Sequence, residues 1–235
     1  MRIGLAAYEF RNGDTAFNLS QMEKGMAEAA GKADLLCFGE AFLQGFDALC
    51  WDYESDRHVA VALDSPEIAR LSALTVRYGV DLLAGYIERD GGALYSSCAV
   101  IEQGRVLHNY RRITKNWKEF RITDHHYREG SRTEPFFYRG VPVQIALCGD
   151  LWIAPEKFGT DGLLIWPVYV NFSLEEWAQN EADYAQQALL AARRTVMVNS
   201  ITRDPPSHGN AFYFENGRVK SALGYDREGI LLVEV

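Results

Sequence analysis

The sequence predicts an α/β protein, and three features lead to that class. Short apolar runs of strand length alternate with longer amphipathic segments along the 235 residues. Two of the amphipathic segments carry helix-start signals, and no low-complexity stretch or linker separates the parts. Alternation of this kind is typical of sheets covered by helices. We therefore expect a single domain spanning 1–235.

The predicted strands are apolar runs that recur from the start of the chain to its end. They are RIGLAAYEF (2–10), DLLCFGEAF (34–42), VDLLAGYIE (80–88), SSCAVIEQG (96–104), RVLHNYRRIT (105–114), PVQIALCGDL (142–151), GLLIWPV (162–168), TVMVNSI (195–201), AFYFENGRV (211–219) and GILLVEV (229–235). The dipeptides at 103–104 (QG) and 216–217 (NG) predict hairpin turns between neighbouring strands.

Helix-start signals mark two of the amphipathic segments. Ser65 followed by Pro66 opens the segment 65–79, which ends on a glycine. Ser173, with a glutamate three residues on, forms a capping box for the segment 173–194. Both segments are therefore predicted to be helices.

The remaining helical segments are 14–33, which is apolar on one face, and the short 155–159. Two units of similar strand and helix content follow one another along the chain. This order favours a layered sandwich with two facing sheets and helices outside. A single doubly wound sheet is the alternative, because alternation alone does not distinguish the two arrangements.

Composition limits the partners of the protein. The formal net charge is -8 and no basic block stands out, which disfavours a duplex nucleic-acid binder. No apolar stretch reaches membrane-spanning length, and charged residues interrupt the start of the chain, so a cytoplasmic protein is expected. The four cysteines contain no CxxC pair, which predicts reduced thiols.

Reactive groups follow two of the predicted strands, where ligands of α/β proteins tend to bind. Glu40 comes after a buried run and sits among apolar residues, a setting in which a carboxylate can act as a general base. Cys148 ends another run, and Gly149 lets the chain turn sharply and expose the sulfur. A cysteine nucleophile needs a base or a cation nearby, and Glu40 is the candidate base. A solvated glutamate and a buried structural cysteine are the alternatives.

Basic residues crowd between these two positions, in NYRRITKNWKEF. This stretch contains Arg112, Lys115, Lys118 and Glu119 around one tryptophan. Taken alone, it predicts an exposed edge strand and loop.

Aromatic residues near the predicted strand ends are candidates for the wall of a substrate pocket. We single out Trp117 and Trp152, with Asn171 as a polar contact, although large aromatic side chains are more often part of a core. His125 and His126 are adjacent but lack a partnered carboxylate spacing, so a loop surface is favoured over a metal site.

The order of glutamate, basic residue and cysteine resembles the nitrilase, or carbon-nitrogen hydrolase, superfamily over nearly the whole chain. The segment ADLLCFGEAFLQGF (33–46) is similar to that family's ADLVVFPE...GY, and CGDLW...PE (148–156) is similar to its nucleophile motif CYDLRFPE. Asn18 stands in the usual asparagine place, and AARRTVMVNS resembles the family segment with an arginine, a strand and an asparagine, here Arg193 and Asn199.

This resemblance implies an α-β-β-α sandwich, usually a homodimer or a larger homo-oligomer. It implies attack on a small amide, nitrile or carbamoyl compound by Cys148 through a thioester, with Glu40 as general base and a lysine that stabilises the oxyanion. An amidase-like activity is favoured over a nitrilase. No metal or organic cofactor is implied.

The sequence departs from the family pattern at the lysine. Matched through the YR pair, the lysine position falls on Arg112. We favour Lys115, at the predicted strand exit, and keep Arg112 and Lys118 as alternatives. Glu119 is the candidate for a second glutamate, ahead of Asp124. Gly39 stands where the family usually has proline.

Three functional classes remain open at this stage. The leading hypothesis is a thiol hydrolase of non-peptide carbon-nitrogen bonds. The second is a catalytically inactive nitrilase-like protein that binds a ligand or partner, because arginine stands where lysine is expected. The third is a redox-responsive protein that uses an exposed Cys148 thiol.

Overall fold

The computed structural model describes residues 1–235 and contains two six-stranded sheets. The first sheet, in the order β14-β1-β2-β3-β4-β5, consists of β1 (Arg2–Ala7), β2 (Leu35–Cys37), β3 (Asp81–Asp90), β4 (Ala93–Glu102), β5 (Arg105–Arg111) and β14 (Gly229–Glu234). The second sheet, in the order β13-β12-β9-β8-β7-β6, consists of β6 (Phe136–Tyr138), β7 (Val141–Ile145), β8 (Leu163–Val168), β9 (Arg194–Asn199), β12 (Ala211–Glu215) and β13 (Arg218–Ala222).

A separate hairpin and five helices complete the fold. The hairpin pairs β10 (Ile201–Arg203) with β11 (Pro206–His208). The helices are α1 (Thr15–Ala29), α2 (Tyr53–Val59), α3 (Pro66–Tyr78), α4 (Asp150–Ile153) and α5 (Leu174–Leu189). None of these helices combines the length and the apolar content that crossing a bilayer requires.

The two sheets face each other across a shared apolar core. Leu83 and Val100 of the first sheet belong to the same buried cluster as Ile145 and Ile165 of the second. The opposite face of the first sheet packs on α1 and α3, and α5 lies against β12, β13 and β9 of the second sheet. The predicted α/β class with two facing sheets and outer helices is confirmed, and a single doubly wound sheet is excluded.

Local signals place the helix ends correctly. The Ser65 side chain accepts a hydrogen bond from the Ile68 N–H, and Gly79 ends α3 in the left-handed conformation at φ +65°. Ser173 and Glu176 form the predicted capping box at the start of α5. An N-cap of this kind stabilises a helix by about 1 kcal/mol. Helix α2 was not predicted; Asp52 caps it by accepting from the Ser55 N–H.

Connections from both sheets meet at one end of the sandwich. The chain after β2 reaches across to the second sheet, where the Glu40 N–H donates to the Val168 carbonyl at 3.3 Å. The chain after β7 stays beside β8, because the Cys148 N–H donates to the Pro167 carbonyl at 2.9 Å. The segments that carry the candidate glutamate and cysteine therefore lie at the same edge.

Candidate active site

Two glycines allow the turn that carries Glu40 to pack closely against its neighbours. A Cβ placed on Gly85 of β3 would lie 2.2 Å from the Gly39 carbonyl oxygen, and one placed on Gly39 would lie 2.4 Å from Ser200 Oγ. Real Cβ atoms essentially never approach other atoms closer than 3.0 Å. The glycine at position 39, where the resemblance predicts proline, is thus explained by the volume that Ser200 fills. Close packing on both sides fixes the backbone that presents Glu40.

The Glu40 side chain is buried and engages two partners through one oxygen. Its Oε1 accepts from the Ser96 hydroxyl at 2.7 Å and from Arg112 Nη1 at 2.9 Å. No N–H or O–H group of the protein donates to Oε2. The surroundings predicted from the sequence were apolar, whereas the structure gives this carboxylate a buried cation and leaves one oxygen free.

Arg112 reaches this position by the alternation of strand side chains. Its N–H donates to the Ser96 carbonyl at 2.9 Å, so the ladder between β4 and β5 continues one residue past β5. Tyr110 and Arg112 consequently point to the same inner face. The guanidinium is 2% exposed, and its Nε donates to Thr114 Oγ1 at 3.2 Å while Nη2 donates to Asn116 Oδ1.

Cys148 stands in a strained backbone conformation. Its φ of +42° lies in the left-handed region, which residues other than glycine rarely adopt. The N–H is held by Pro167 and the carbonyl accepts from Trp166 Nε1 at 2.8 Å, so neighbouring strand β8 imposes the turn. The thiol lies 3.7 Å from the Tyr169 carbonyl oxygen. Strain that the surrounding structure maintains is a feature of functional sites.

The surroundings of the Cys148 thiol favour its protonated form. The pKa of Cys148 is raised to about 12, mainly by burial and also by the Glu40 carboxylate, while the positive charge of Arg112 acts in the opposite direction. The thiol is therefore protonated near neutral pH. Nucleophilic attack by this sulfur requires a base, and Glu40 is the acidic side chain that acts on it.

Asp150 connects the basic side of the site with the cysteine turn. This buried carboxylate accepts from the Tyr110 hydroxyl, from the Thr114 N–H at 3.1 Å, from Thr114 Oγ1 at 2.8 Å and from the Leu147 N–H at 3.0 Å. Burial raises the pKa of Asp150, while Arg112 and these hydrogen bonds lower it. The end of β5 and the turn at Cys148 are thus joined through one side chain.

The other candidates for the cationic role lie elsewhere. Lys115 is exposed on a short 3-10 turn, and Lys118 donates to the Tyr127 carbonyl and pairs with Glu129 at 2.7 Å. The favoured Lys115 is thus not brought to Glu40, whereas the alternative Arg112 is. The reason is that no bulge shifts the chain after β5, so the inward position falls on residue 112.

Neither candidate for a second acidic residue contacts the thiol site. Glu119 is exposed on the following loop, and its carboxylate makes no hydrogen bond to Glu40, Arg112 or Cys148. Asp124 is exposed and lies 2.9 Å from Nδ1 of His126. Asp124, His125 and His126 each offer one possible metal-ligand atom, and these atoms lie within 4.8 Å of one another.

The aromatic candidates occupy different settings. Trp117 is buried in a cluster with Trp51 and Tyr127, as expected of a core residue. Trp152 is 42% exposed and packs edge-on against Tyr184 with 4.9 Å between ring centroids. Asn171 is exposed and makes no side-chain hydrogen bond.

Sequence reasoning missed three polar residues that organise the site. Ser96 donates a hydrogen bond to Glu40. Thr114 accepts one from Arg112 Nε, and Asn116 accepts one from Arg112 Nη2. The available signals were weak: a serine inside an apolar strand, and two small polar residues after it. The asparagines that the resemblance marked support the backbone. Asn18 bonds to Arg11 and Leu43, and Asn199 bonds to Val170.

Comparison with known sequences finds relatives of this chain. The carbon-nitrogen hydrolase family matches residues 2–157. An (R)-stereoselective amidase from Pseudomonas sp. is 30% identical over 151 residues, 64% of this chain and 52% of the amidase. A glutamine-dependent NAD(+) synthetase from Xylella fastidiosa is 28% identical over 214 residues, 86% of this chain and 37% of the synthetase. The chain thus spans about half or less of the length of these curated relatives.

Solved structures share the fold. A CN-hydrolase superfamily protein from Xanthomonas campestris, with an arsenic adduct in its active site, superposes with a TM-score of 0.80 at 17% identity, over 99% of this chain and 89% of its own. A variant amidase from Nesterenkonia sp. AN1, which shows Michael addition of acrylamide at its active-site cysteine, gives a TM-score of 0.78 at 18% identity, over 100% of this chain and 93% of its own. At these identities the likeness concerns the fold.

Proposed function

This chain belongs to the carbon-nitrogen hydrolase family, and on that basis we propose that it hydrolyses a small linear amide or carbamoyl compound through a thioester on Cys148. The observation that carries the proposal is the meeting of three groups at one edge of the sandwich. The Glu40 carboxylate and the Arg112 guanidinium are both buried, are paired at 2.9 Å, and both act on the thiol of Cys148.

Glu40 acts as the general base in the first step. Because Oε1 is engaged by Ser96 and Arg112, Oε2 is the oxygen that takes the thiol proton as the sulfur attacks the substrate carbonyl carbon. The ion pair with Arg112 therefore orients the base without blocking it. The protonated thiol expected near neutral pH fits a mechanism in which proton transfer accompanies attack.

The negative charge that develops on the substrate oxygen requires donors. The Gly149 N–H directly follows the sulfur-bearing residue and makes no hydrogen bond within the protein. Arg112 donates one N–H from each terminal nitrogen to Glu40 and Asn116, which leaves one N–H on each. We assign the Gly149 N–H and the Arg112 guanidinium as the groups that stabilise this oxyanion.

The second half of the reaction reuses the same base. Collapse of the tetrahedral intermediate breaks the carbon-nitrogen bond, and Glu40 returns its proton to the leaving amine or ammonia. Glu40 then takes a proton from water as that water attacks the thioester, and the carboxylic or carbamic acid leaves while the thiol is restored.

The test is hydrolysis of a panel of linear amides and N-carbamoyl compounds by wild type, Cys148→Ala and Cys50→Ala. Cys50 is an exposed free cysteine outside the site and provides the matched control. We expect Cys148→Ala to abolish hydrolysis and Cys50→Ala to preserve it. Hydrolysis that survives Cys148→Ala would overturn the proposal.

A catalytically inactive binding protein is the second candidate, because an arginine that cannot release its proton is paired with Glu40, the proposed base. Incubation with acrylamide followed by mass spectrometry separates the two. Modification of Cys148 together with hydrolysis of at least one panel substrate supports the enzyme. An intact, unreactive Cys148 with no hydrolysis supports the binder.

We further propose that two or more copies associate. Trp152 and Ile153 are 42% and 57% exposed on α4 beside α5, so a face with apolar side chains is available. Light scattering on the purified protein tests this, and a monomeric mass at micromolar concentration would refute it.

A further inference from the structure

Gly149 follows the candidate nucleophile, and the structure has no room for a side chain at this position. A Cβ at this position would lie 2.3 Å from Asn116 Nδ2 and 2.4 Å from Arg112 Nη2, closer than real Cβ atoms approach other atoms. The backbone here is ordinary, with φ -65° and ψ -7°, so any residue could adopt it. Space, not conformation, selects the glycine, and the space is taken by the guanidinium and the asparagine amide.

The Asn116 side chain has a fixed orientation. A guanidinium only donates hydrogen bonds, so the amide oxygen must face Arg112 Nη2, and Nδ2 lies on the Gly149 side. Asn116 itself is exposed, whereas the next residue, Trp117, is buried and anchors the turn. The asparagine thus covers a buried guanidinium from the solvent side.

Each nitrogen of the guanidinium has one acceptor. Nε donates to Thr114, Nη1 donates to Glu40 and Nη2 donates to Asn116. Three acceptors around a planar group fix both its position and the direction of its two remaining N–H bonds. A lysine, with a single rotatable ammonium, would need neither the acceptor at Asn116 nor the open volume at Gly149.

We propose that Asn116 is a positioning residue that, with Gly149, holds the Arg112 guanidinium plane against the Cys148 thiol. Arg112, Asn116 and Gly149 then form one unit that lets arginine occupy the cationic position of this site. Two of the departures from the motifs that the sequence resembles, arginine for lysine at 112 and glycine for tyrosine at 149, belong to this unit. The inference rests on the proposed roles of Arg112 and Cys148.

The experiment measures alkylation of Cys148 by iodoacetamide between pH 6 and pH 10, by peptide mass spectrometry, with Cys50 in the same digest as the reference. This readout needs no substrate and no turnover. The variants are Asn116→Ala, Arg112→Lys and the double variant, with Lys115→Ala as the control on the same turn. Asn116→Ser replaces Asn116→Ala if the alanine variant does not fold.

Asn116→Ala is expected to slow alkylation of Cys148 about threefold to tenfold at each pH, because a displaced guanidinium supports the thiolate less well; tenfold corresponds to one pKa unit. In the Arg112→Lys background the same change is expected to alter the rate less than about twofold, since no Nη2 remains to be held. Lys115→Ala is expected to leave the profile unchanged.

Two negative outcomes are distinguishable. If Arg112→Lys shifts the profile but Asn116→Ala does not, or if Asn116→Ala has the same effect in both backgrounds, the positioning role is overturned while the proposed function stands. If Arg112→Gln, which removes the positive charge, leaves alkylation of Cys148 unchanged, the proposed role of Arg112 fails and not only the positioning role of Asn116. A Gly149→Ala variant that keeps the wild-type profile also overturns the inference.

Discussion

Two stretches beside the end of β5 differ sharply in what they can do. At the strand end, Arg112 is 2% exposed and each of its nitrogens donates to a side-chain acceptor. In the turn and loop that follow, Lys115 and Glu119 are exposed and have no charged partner. The sequence spacing alone is compatible with several cationic residues in the site. Strand alternation and the available hydrogen-bond acceptors decide which of them is buried there.

The sharpest way to break this comparison is to remove the charge of the buried carboxylate. Glu40→Gln is expected to lower kcat/KM by about 10²- to 10⁴-fold, as for loss of a general base. Alkylation by iodoacetamide follows the thiolate fraction and needs no proton transfer to a leaving amine, so the same change should accelerate alkylation of Cys148 at a given pH. The Glu40 charge raises the pKa of this thiol, so its removal lowers that pKa and increases the thiolate fraction.

Glu119→Gln, in the exposed loop, is the matched control for Glu40→Gln and should change neither rate. Circular dichroism establishes that both variants are folded. Alkylation that slows in Glu40→Gln would contradict the assigned electrostatics, and unchanged hydrolysis in that variant would contradict the assignment of the base.

A second test compares the buried and exposed aspartates. Asp150→Ala leaves the Tyr110 hydroxyl, the Thr114 N–H and the Leu147 N–H without their acceptor, so we expect it to lower the free energy of unfolding by about 3–5 kcal/mol. Asp124→Ala, on the exposed loop, should cost less than about 1 kcal/mol. Urea denaturation of both variants measures the difference. Equal costs would show that Asp150 does not join the two sides of the site.

The sequence predicts well what local chemistry controls. The helix that begins after Ser65 and ends at Gly79 and the capping box at Ser173 were both predicted and found. Facing sheets followed from the order of the elements, and Glu40 and Cys148 could be singled out because each ends a buried run. The helix caps and the two strand-end residues are signals that lie within a few residues of the feature that they predict.

What escaped prediction depends on contacts between distant segments. Ser96, which holds Glu40, is 56 residues away from it in the chain. Gly149 was explained by conformational freedom, yet it has ordinary helical angles and is needed for the volume that Asn116 and Arg112 occupy. The choice among Arg112, Lys115 and Lys118 depended on how strand alternation continues past β5 and on acceptors from distant segments, neither of which the local sequence shows.

A third test concerns the turn beneath Glu40. Gly39→Ala places a Cβ 2.4 Å from Ser200 Oγ and 3.0 Å from the Val168 carbonyl, and such overpacking costs about 1–3 kcal/mol. Ser200→Gly in the same chain removes the nearer atom and should recover part of that cost. Thermal unfolding of the single and double variants measures the recovery. Strictly additive effects would show that the two residues do not compete for space.

The smallest expected effect is that of a substitution at Lys115, and comparing it with a substitution at Arg112 tests the difference between the two stretches directly. Lys115→Ala removes an exposed ammonium without a partner. The free energy of unfolding and the activation free energy derived from kcat/KM should therefore both stay within about 0.5 kcal/mol of wild type. Arg112→Gln removes the donor assigned to the oxyanion and should lower kcat about 10²- to 10³-fold. If the two variants exchanged these outcomes, the cation would be supplied by a movement of the exposed turn during the reaction. A null effect at Lys115 beside a large one at Arg112 means that the resting geometry already contains the working cation.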